Sequence, residues 1–315
     1  MPEGAAGVSP TRAKLVAAFA AVYVLWGSTY LAIRFGVETI PPFLMAGTRH
    51  LVAGLLLFLW TRLRREERPD ARHWVTATFI GGLMLLGGNG LVTWAERRVP
   101  SGLAALIVAS VPLWMALLDG IQRGTRPRAH VIAGLLLGLA GIVLLVAPGR
   151  FAGGGRVDLL GAGALLVAAL SWSVGSLYSR GARLPRAVLT ATAMEMIGGG
   201  VLLWIAGLAF GEGSRLDVAA ISPRSMLSLG YLIVFGSLLG FSAYVWLLHA
   251  TTPARVSTYA YVNPVIAVLL GWALAGEALT LRIALATTGI VGAVALIIRY
   301  GGARAKEADR KEIAA

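Results

Sequence analysis

The chain has 315 residues, of which 57% are hydrophobic and only 14% are charged. Soluble globular domains average about 45–50% apolar and about 25% charged residues, so this composition excludes an ordinary soluble domain and favours a protein embedded in lipid. The absence of cysteine excludes disulfides and thiolate metal sites. The formal charge of +13 lies in short basic clusters between apolar runs, which argues against nucleic-acid binding and indicates a topology signal.

Long apolar runs separated by short polar breaks extend along almost the whole chain. A helix needs about 20 apolar residues to cross the hydrocarbon core, and a run of this length in lipid must be helical because the backbone has to satisfy its own hydrogen bonds. The first run follows Arg12 and Lys14, and the many later runs indicate an uncleaved span rather than a signal peptide. The sequence predicts ten helices, spans 1 to 10, at 15–34, 43–61, 74–94, 101–121, 129–147, 158–179, 187–209, 226–248, 254–275 and 281–299.

Arginine and lysine are concentrated in alternate loops and in the C-terminal tail. Cytoplasmic loops carry an excess of these residues, so both termini are predicted to be cytoplasmic. The predicted domains are an N-terminal tail (1–14), a first repeat (15–147), a periplasmic linker (148–157), a second repeat (158–299) and a charged cytoplasmic tail (300–315).

The two halves of the chain share several residues in the same order. Trp26 and Arg34 in span 1 are eight residues apart, as are Trp172 and Arg180 in span 6. Each half contains five spans, an odd number, so similar halves must cross the membrane in opposite senses. This predicts an all-α fold of two inverted five-helix repeats, with a substrate site near the midplane between them. Further matches are Gly88 with Gly240, Trp94 with Trp246, and Pro112 with Pro264.

Ionisable residues within membrane spans are costly and usually functional. Arg49 lies in span 2 beside His50, and Glu195 lies in the repeat-equivalent span 7. One hypothesis is that Arg49 binds an anionic substrate group, while Glu195 binds an amine or a coupling proton. The alternative is a structural ion pair between Arg49 and Glu195 that locks the two helices together.

Prolines and polar side chains inside spans are further candidates. Pro112 and Pro264 each remove a backbone donor and predict helix breaks, although they can also serve packing alone. Asn263, beside Pro264, and Asn89 are candidate polar groups of a cavity.

Aromatic residues inside spans can line a pocket for an apolar substrate. Trp26 and Tyr259 are the candidates, and ordinary core packing is the alternative for each.

Enzyme and ATPase functions lack their usual motifs. The sequence contains no His-Glu-x-x-His, no Gly-x-Ser-x-Gly elbow and no Walker Gly-Lys-Ser/Thr. The sequence therefore predicts no metal, no cofactor and no catalysis.

Several segments resemble the EamA family of the drug/metabolite transporter superfamily, and within it the YedA-type exporters. His50 departs from the family pattern, which has an apolar or aromatic residue after the arginine. The resemblance implies ten helices, two EamA repeats and efflux of amino acids, metabolites or drugs across a bacterial inner membrane. The segments are 23–38 (YVLWGSTYLAIRFGVE), 45–54 (MAGTRHLVAG), 87–96 (GGNGLVTWAE), 99–112, and 259–270 (YAYVNPVIAVLL), followed by Gly276-Glu277.

Together these observations predict a secondary transporter that exports small molecules by alternating access. Its expected partners are a small-molecule substrate and the lipid bilayer, with protons as a candidate coupling ion and a homodimer as a candidate assembly. The alternatives are an uptake permease for the same substrate class and a non-transporting membrane scaffold or receptor.

Overall fold

A computed structural model describes residues 11–66, 68–122 and 124, single positions between 133 and 144, and 158–301. The regular elements of this part of the chain are all helices. Span 5, the linker 148–157 and most of both tails lie outside the described residues. The main helices are α1 (Arg12–Gly36), α2 (Pro42–Leu63), α3 (Ala71–Ala95), α4 (Ser101–Gln122), α5 (Leu159–Ser179), α6 (Val188–Ala209), α7 (Pro223–Ala250), α8 (Tyr259–Ala275, after a short turn Pro253–Val256) and α9 (Leu281–Gly301).

Helices α1 to α7, in the described part of the chain, are long and apolar enough to cross a membrane. They have 21 to 28 residues, which matches the hydrocarbon thickness of a bilayer. Shorter apolar stretches follow at Val262–Ala275 and Leu281–Gly292. The predicted all-helical membrane fold is therefore confirmed in outline, while the number of ten spans stays a prediction.

Two helices begin at a polar capping residue that lies a few positions before the apolar run. Asp70 accepts a 2.7 Å hydrogen bond from the backbone N–H of His73, so α3 begins at Ala71 rather than at the predicted residue 74. This bond holds the pKa of the Asp70 carboxyl below its usual value, because it stabilises the carboxylate form. Ser222 caps α7 in the same way. Hydropathy alone places both helix starts too late.

Two helices contain a π-helical segment that the sequence analysis missed. In α3 the segment is Gly82–Gly90, and in α7 it is Leu232–Phe241. The wider π turn is rare and is found mostly as short interruptions of α-helices at functional sites. Here the segments occupy corresponding places in the two halves of the chain.

Helices α2 and α6 pack against each other in opposite directions. Near the start of α2, Gly47 contacts Trp204; further along, Gly54 contacts Met196 and Ile197, which precede Trp204 on α6. A Cβ at Gly47 would lie 2.5 Å from the Trp204 ring, so the glycine permits the approach. Small residues let helix backbones come close in a membrane, where dispersion rather than the hydrophobic effect drives association.

At each end of this helix pair, a carboxylate that follows one helix accepts a hydrogen bond from the start of the other. Glu212, just after α6, accepts a 2.9 Å hydrogen bond from the backbone N–H of Leu44 at the start of α2. Glu66, just after α2, accepts a hydrogen bond from the hydroxyl of Thr190 at the start of α6. Both pairs consist of residues at equivalent positions of the two halves, so each half binds the start of a helix of the other.

At matched positions of the two halves, the glycine of one half also contacts the tryptophan of the other. Gly88 in α3 packs under the ring of Trp172 in α5, and Gly240 in α7 packs under the ring of Trp26 in α1. Each glycine therefore contacts the tryptophan of the opposite half. The positions that correspond in sequence are thus equivalent in space.

Two arginines at matched positions bind the ends of α3 and α7, each within its own half. Arg34 donates to the carbonyl of Glu96 at 2.6 Å, and Arg180 donates to the carbonyl of Leu248 at 2.8 Å. Helix C-termini carry unsatisfied carbonyl groups and a partial negative charge, so an arginine stabilises both ends in the same manner.

Because Gly240 contacts Trp26, we expect that one methyl group added at position 240 lowers the stability of the fold. In the Gly240→Ala variant, the new Cβ would lie 2.5 Å from Trp26 Nε1, so the indole must move. Overpacking of this kind costs about 1–3 kcal/mol, and we expect a lower midpoint of thermal unfolding in detergent and a changed near-ultraviolet circular dichroism.

Gly163→Ala is the matched control for this variant. Gly163 lies in α5 with open space around it, and alanine favours a helix by up to about 1 kcal/mol over glycine. Equal effects of the two substitutions on the unfolding midpoint would contradict the packing role of Gly240.

The predicted topology can be tested by labelling single introduced cysteines, since the chain has none of its own. Ser225 is unsuitable despite its loop position in the sequence, because it is buried and its hydroxyl donates to the carbonyl of Phe35. Ser214 and Gly181 are exposed and lie in loops of predicted opposite sidedness. We expect an impermeant maleimide to label the Ser214→Cys variant in intact cells and the Gly181→Cys variant only after permeabilisation. The reverse pattern would show that both termini are periplasmic.

Candidate functional site

A cavity of about 70 Å³ is lined by residues of α1, α2, α3, α4, α5, α7 and α8. It has room for a few water molecules. Ligand pockets for drug-sized molecules usually measure about 300–1,000 Å³, so the cavity in this conformation is too small for such a molecule. Five of the six predicted substrate-binding residues line the cavity: Trp26, Arg49, Asn89, Tyr259 and Asn263.

A chain of polar side chains connects three helices beside this cavity. Arg49 donates from Nε to the Ser237 hydroxyl at 2.7 Å. The same hydroxyl lies 3.4 Å from Nδ1 of His50, whose Nε2 lies 3.2 Å from the Asn89 side-chain oxygen. Ser237 and Asn89 belong to the two π-helical segments. The network therefore links α2 to both interrupted helices.

Arg49 is buried but retains an unused donor. Its Nη1 has no hydrogen-bond partner among the described residues. Its Nη2 lies against Gly236, where a Cβ would be only 2.6 Å away, so the guanidinium fits because this position is glycine. An unpartnered buried N–H of a charged group is costly, which makes it a candidate contact for an anionic ligand.

Aromatic rings form the apolar wall of the cavity around Trp26. The centroid of this ring lies 5.4 Å from that of Trp172, 4.9 Å from that of Tyr244 and 5.5 Å from that of Tyr259. The indole N–H of Trp26 donates to the carbonyl of Gly236 at 3.1 Å, and that of Trp172 donates to the Tyr244 hydroxyl at 3.0 Å. The rings are thus held by each other and by the π-helical segment of α7.

Asn263 and Pro264 lie on the cavity side of α8. Asn263 is buried and, with its amide nitrogen turned inward, donates to the carbonyls of Tyr23 at 2.9 Å and Tyr259 at 3.3 Å. Pro264 lies inside the helix and lacks the N–H that would complete the backbone ladder. The side chain of Asn263 therefore joins α8 to α1 next to the gap left by the proline.

Pro112 does not border the cavity. It is buried in α4, two residues after the helix is interrupted at Ala109 and Ser110. The proline stands in the first turn of the second helical segment, where a missing N–H costs little.

Glu195 lies apart from the other predicted residues. It is fully buried in α6 and is absent from the cavity lining. Neither carboxylate oxygen has a hydrogen-bond partner within the described ranges, and no ion pair joins it to Arg49 there. The structure therefore does not show the ion pair that was the structural alternative. In the chain Glu195 occupies the position of the second half that corresponds to Arg49.

Three residues of this region were missed by sequence reasoning. His50 was set aside because it departs from the family pattern, and Ser237 carries no signal of its own in an apolar run. Glu96 lies beyond the predicted end of span 3, next to Arg97 and Arg98, and is not among the predicted site residues, yet it is fully buried and its carboxylate has no hydrogen-bond partner among the described residues. Burial of Glu96 results from tertiary packing and has no local signature.

Solved structures and curated proteins similar to this chain are known. A crystal structure of a protein 25% identical in sequence has a TM-score of 0.65, covering 91% of this chain and 96% of that chain. The uncharacterized inner membrane transporter YedA of Escherichia coli (strain K12) is 43% identical over 284 residues, which is 90% of each protein. The uncharacterized transporter YvbV of Bacillus subtilis (strain 168) is 27% identical, covering 91% of this chain and 92% of the relative.

The family comparison covers both halves of the molecule. The model of the EamA-like transporter family matches residues 13–147 and again residues 159–299. Together with the helical membrane fold, these matches show that the chain belongs to the EamA-like transporter family.

Proposed function

We propose that this protein is an inner-membrane secondary transporter that exports small metabolites by alternating access, with the cavity around Arg49 as its substrate site. The observation that carries the proposal is a buried guanidinium with an unused donor, Nη1, inside an aromatic cavity where helices of both halves meet. Such a group is expensive in a scaffold but useful in a binding site.

The substrate is a small molecule with an anionic group and an apolar body. The anionic group binds Arg49, whose remaining N–H points to no protein acceptor, in a charge-assisted hydrogen bond. Trp26 and Tyr259 pack against the apolar body, and Asn89 and Asn263 offer amide groups for its polar substituents. Amino acids and drug-like molecules with a carboxylate have this chemistry.

The two halves act as inverted repeats, 15–147 and 158–299, each with five spans. The exchanged contacts of Glu66 and Glu212, and those of Trp26 and Trp172, support this relation. When the halves rock against each other, the cavity opens to one side of the membrane and then to the other. The π-helical segments lie next to the cavity. At these segments a helix can change its winding while its two ends stay in place.

Glu195 is our candidate for the coupling group. Its position in α6 corresponds to that of Arg49 in α2. A conformational change in which the two halves exchange their arrangements would therefore bring Glu195 towards the substrate pathway. A charged carboxylate with both oxygens buried and unpartnered is costly, which favours a group that binds a proton or the amine of a substrate. Export as the direction of transport follows from the resemblance to the YedA-type exporters, and a homodimer stays a prediction.

Release of substrate from proteoliposomes tests this function. Vesicles are loaded with a panel of labelled amino acids, nucleosides and cationic drugs, and efflux is followed with and without an outside-acidic proton gradient. We expect one class that carries an anionic group to leave faster than from protein-free vesicles. The Arg49→Gln variant should slow this release about 10-fold or more, since loss of a buried charged contact costs at least 1.4 kcal/mol.

Glu195→Gln should abolish the effect of the proton gradient, because glutamine cannot exchange a proton. Glu212→Gln is the matched control: this carboxylate is also buried, but it caps α2 outside the cavity and glutamine keeps an acceptor. If Glu195→Gln and Glu212→Gln transport alike, Glu195 is structural. If no compound leaves faster than from protein-free vesicles, the scaffold alternative gains.

A further inference from the structure

Glu96 is a buried carboxylate to which the proposed function gives no role. It follows α3 directly, is fully buried, and neither of its oxygens has a hydrogen-bond partner in the part of the chain that the structure describes. Its backbone carbonyl is held by Arg34 at 2.6 Å, so the residue is fixed in place while its carboxylate is left unpaired. An unpaired buried carboxylate costs several kcal/mol as an ion, which calls for an explanation.

The charged groups around Glu96 come from several elements. Arg34 and Tyr30 face it from α1, Arg49 from α2, and Glu277 from the segment after α8, each close enough to interact electrostatically. The neighbouring arginines on its own segment, 97 and 98, are exposed to solvent. Glu96 therefore interacts with the cavity arginine and not with the loop that follows it.

Glu277, the other carboxylate of this cluster, is fully engaged. Its Oε1 accepts hydrogen bonds from the backbone N–H and hydroxyl of Ser101, at 2.8 and 2.7 Å, and its Oε2 accepts one from the N–H of Gly102 at 3.0 Å. It thereby caps α4, and its charge is stabilised at the helix N-terminus. Glu96 is thus the one of these two carboxylates that is free to change its protonation state.

Protonation of Glu96 changes the charge balance at the cavity. With both carboxylates ionised, two negative charges face Arg34 and Arg49. When Glu96 takes up a proton, Arg49 loses a negative charge with which it interacts electrostatically, while its Nη1 still has no partner among the described residues. An anionic ligand can then replace the lost negative charge, and in a buried site this exchange is strongly favoured.

We propose that Glu96 is a proton-binding site coupled to anion binding at Arg49, so that the cavity takes up a monoanionic group together with a proton. The inference rests on the proposed substrate site but requires no transport. Linkage makes the effect reciprocal: a bound anion favours the proton on Glu96, and the proton favours the anion. The pair that enters the cavity is electrically neutral, as suits a site within a membrane.

Infrared spectroscopy of the purified full-length protein tests the proposal. The carbonyl band of a protonated carboxyl is followed during a pH titration, and subtraction of the Glu96→Gln variant isolates the contribution of Glu96. The probe is benzenesulfonate, which stays anionic throughout, with neutral benzenesulfonamide as its control. In the wild type we expect benzenesulfonate to move the midpoint of the Glu96 band to higher pH, and benzenesulfonamide to leave it unchanged.

Arg49→Gln should by itself raise the midpoint by about one pH unit, the usual effect of removing a nearby opposite charge, and should abolish the response to benzenesulfonate. Glu212→Gln, which removes a buried carboxyl outside the cavity, should leave the Glu96 band and its response unchanged.

The proposal is overturned if no band specific to Glu96 titrates, if Arg49→Gln leaves the midpoint unchanged, or if benzenesulfonate does not move it in the wild type. Transport and coupling can fail separately. A normal midpoint shift in a protein that releases no substrate from vesicles would disprove the transporter assignment alone, and efflux without a midpoint shift would disprove the coupling alone.

Discussion

The close antiparallel packing of α2 against α6 is the contact around which this structure is built. Glycine at Gly47, Gly54 and Gly200 removes the side chains that would keep the two helices apart. In lipid there is no hydrophobic gain from bringing helices together, so close van der Waals contact has to supply the stabilisation. Glu66 and Glu212 then hydrogen-bond to the start of the opposite helix at the two ends of this contact, and both halves are held in one register.

This packing also determines the different surroundings of the two intramembrane charges. Arg49 and Glu195 occupy corresponding positions, but α7 presents Gly236 and Ser237 to the arginine, whereas the glutamate meets no partner among the described residues. The two halves are thus similar in backbone and unequal in chemistry.

The π-helical segments connect the fold to the site. Each one inserts extra backbone into an apolar helix beside the cavity, and each contributes one polar side chain, Asn89 or Ser237, to the network that reaches Arg49. A wide turn in lipid is tolerated because surrounding helices satisfy or cover its backbone: Ser171 donates to the Leu83 carbonyl, and Trp26 donates to that of Gly236. Both π-helical segments border the cavity, through Gly88 and Asn89 in α3 and through Gly236 and Phe241 in α7.

The sequence by itself determined the membrane-embedded helical fold, because apolar runs of about 20 residues have few other solutions in a bilayer. It also indicated the cavity residues Trp26, Arg49, Asn89, Tyr259 and Asn263, since polar and aromatic groups inside such runs are conspicuous. Only the tertiary structure decided that Glu195 lies outside this cavity, that Ser225 is buried, and that Glu96 is a buried carboxylate without a hydrogen-bond partner among the described residues. The physical reason is that hydropathy measures how far a segment prefers lipid, whereas the partner of a charge depends on which helices pack against it. That packing is set by contacts between residues more than a hundred positions apart, such as Gly47 with Trp204 and Gly240 with Trp26.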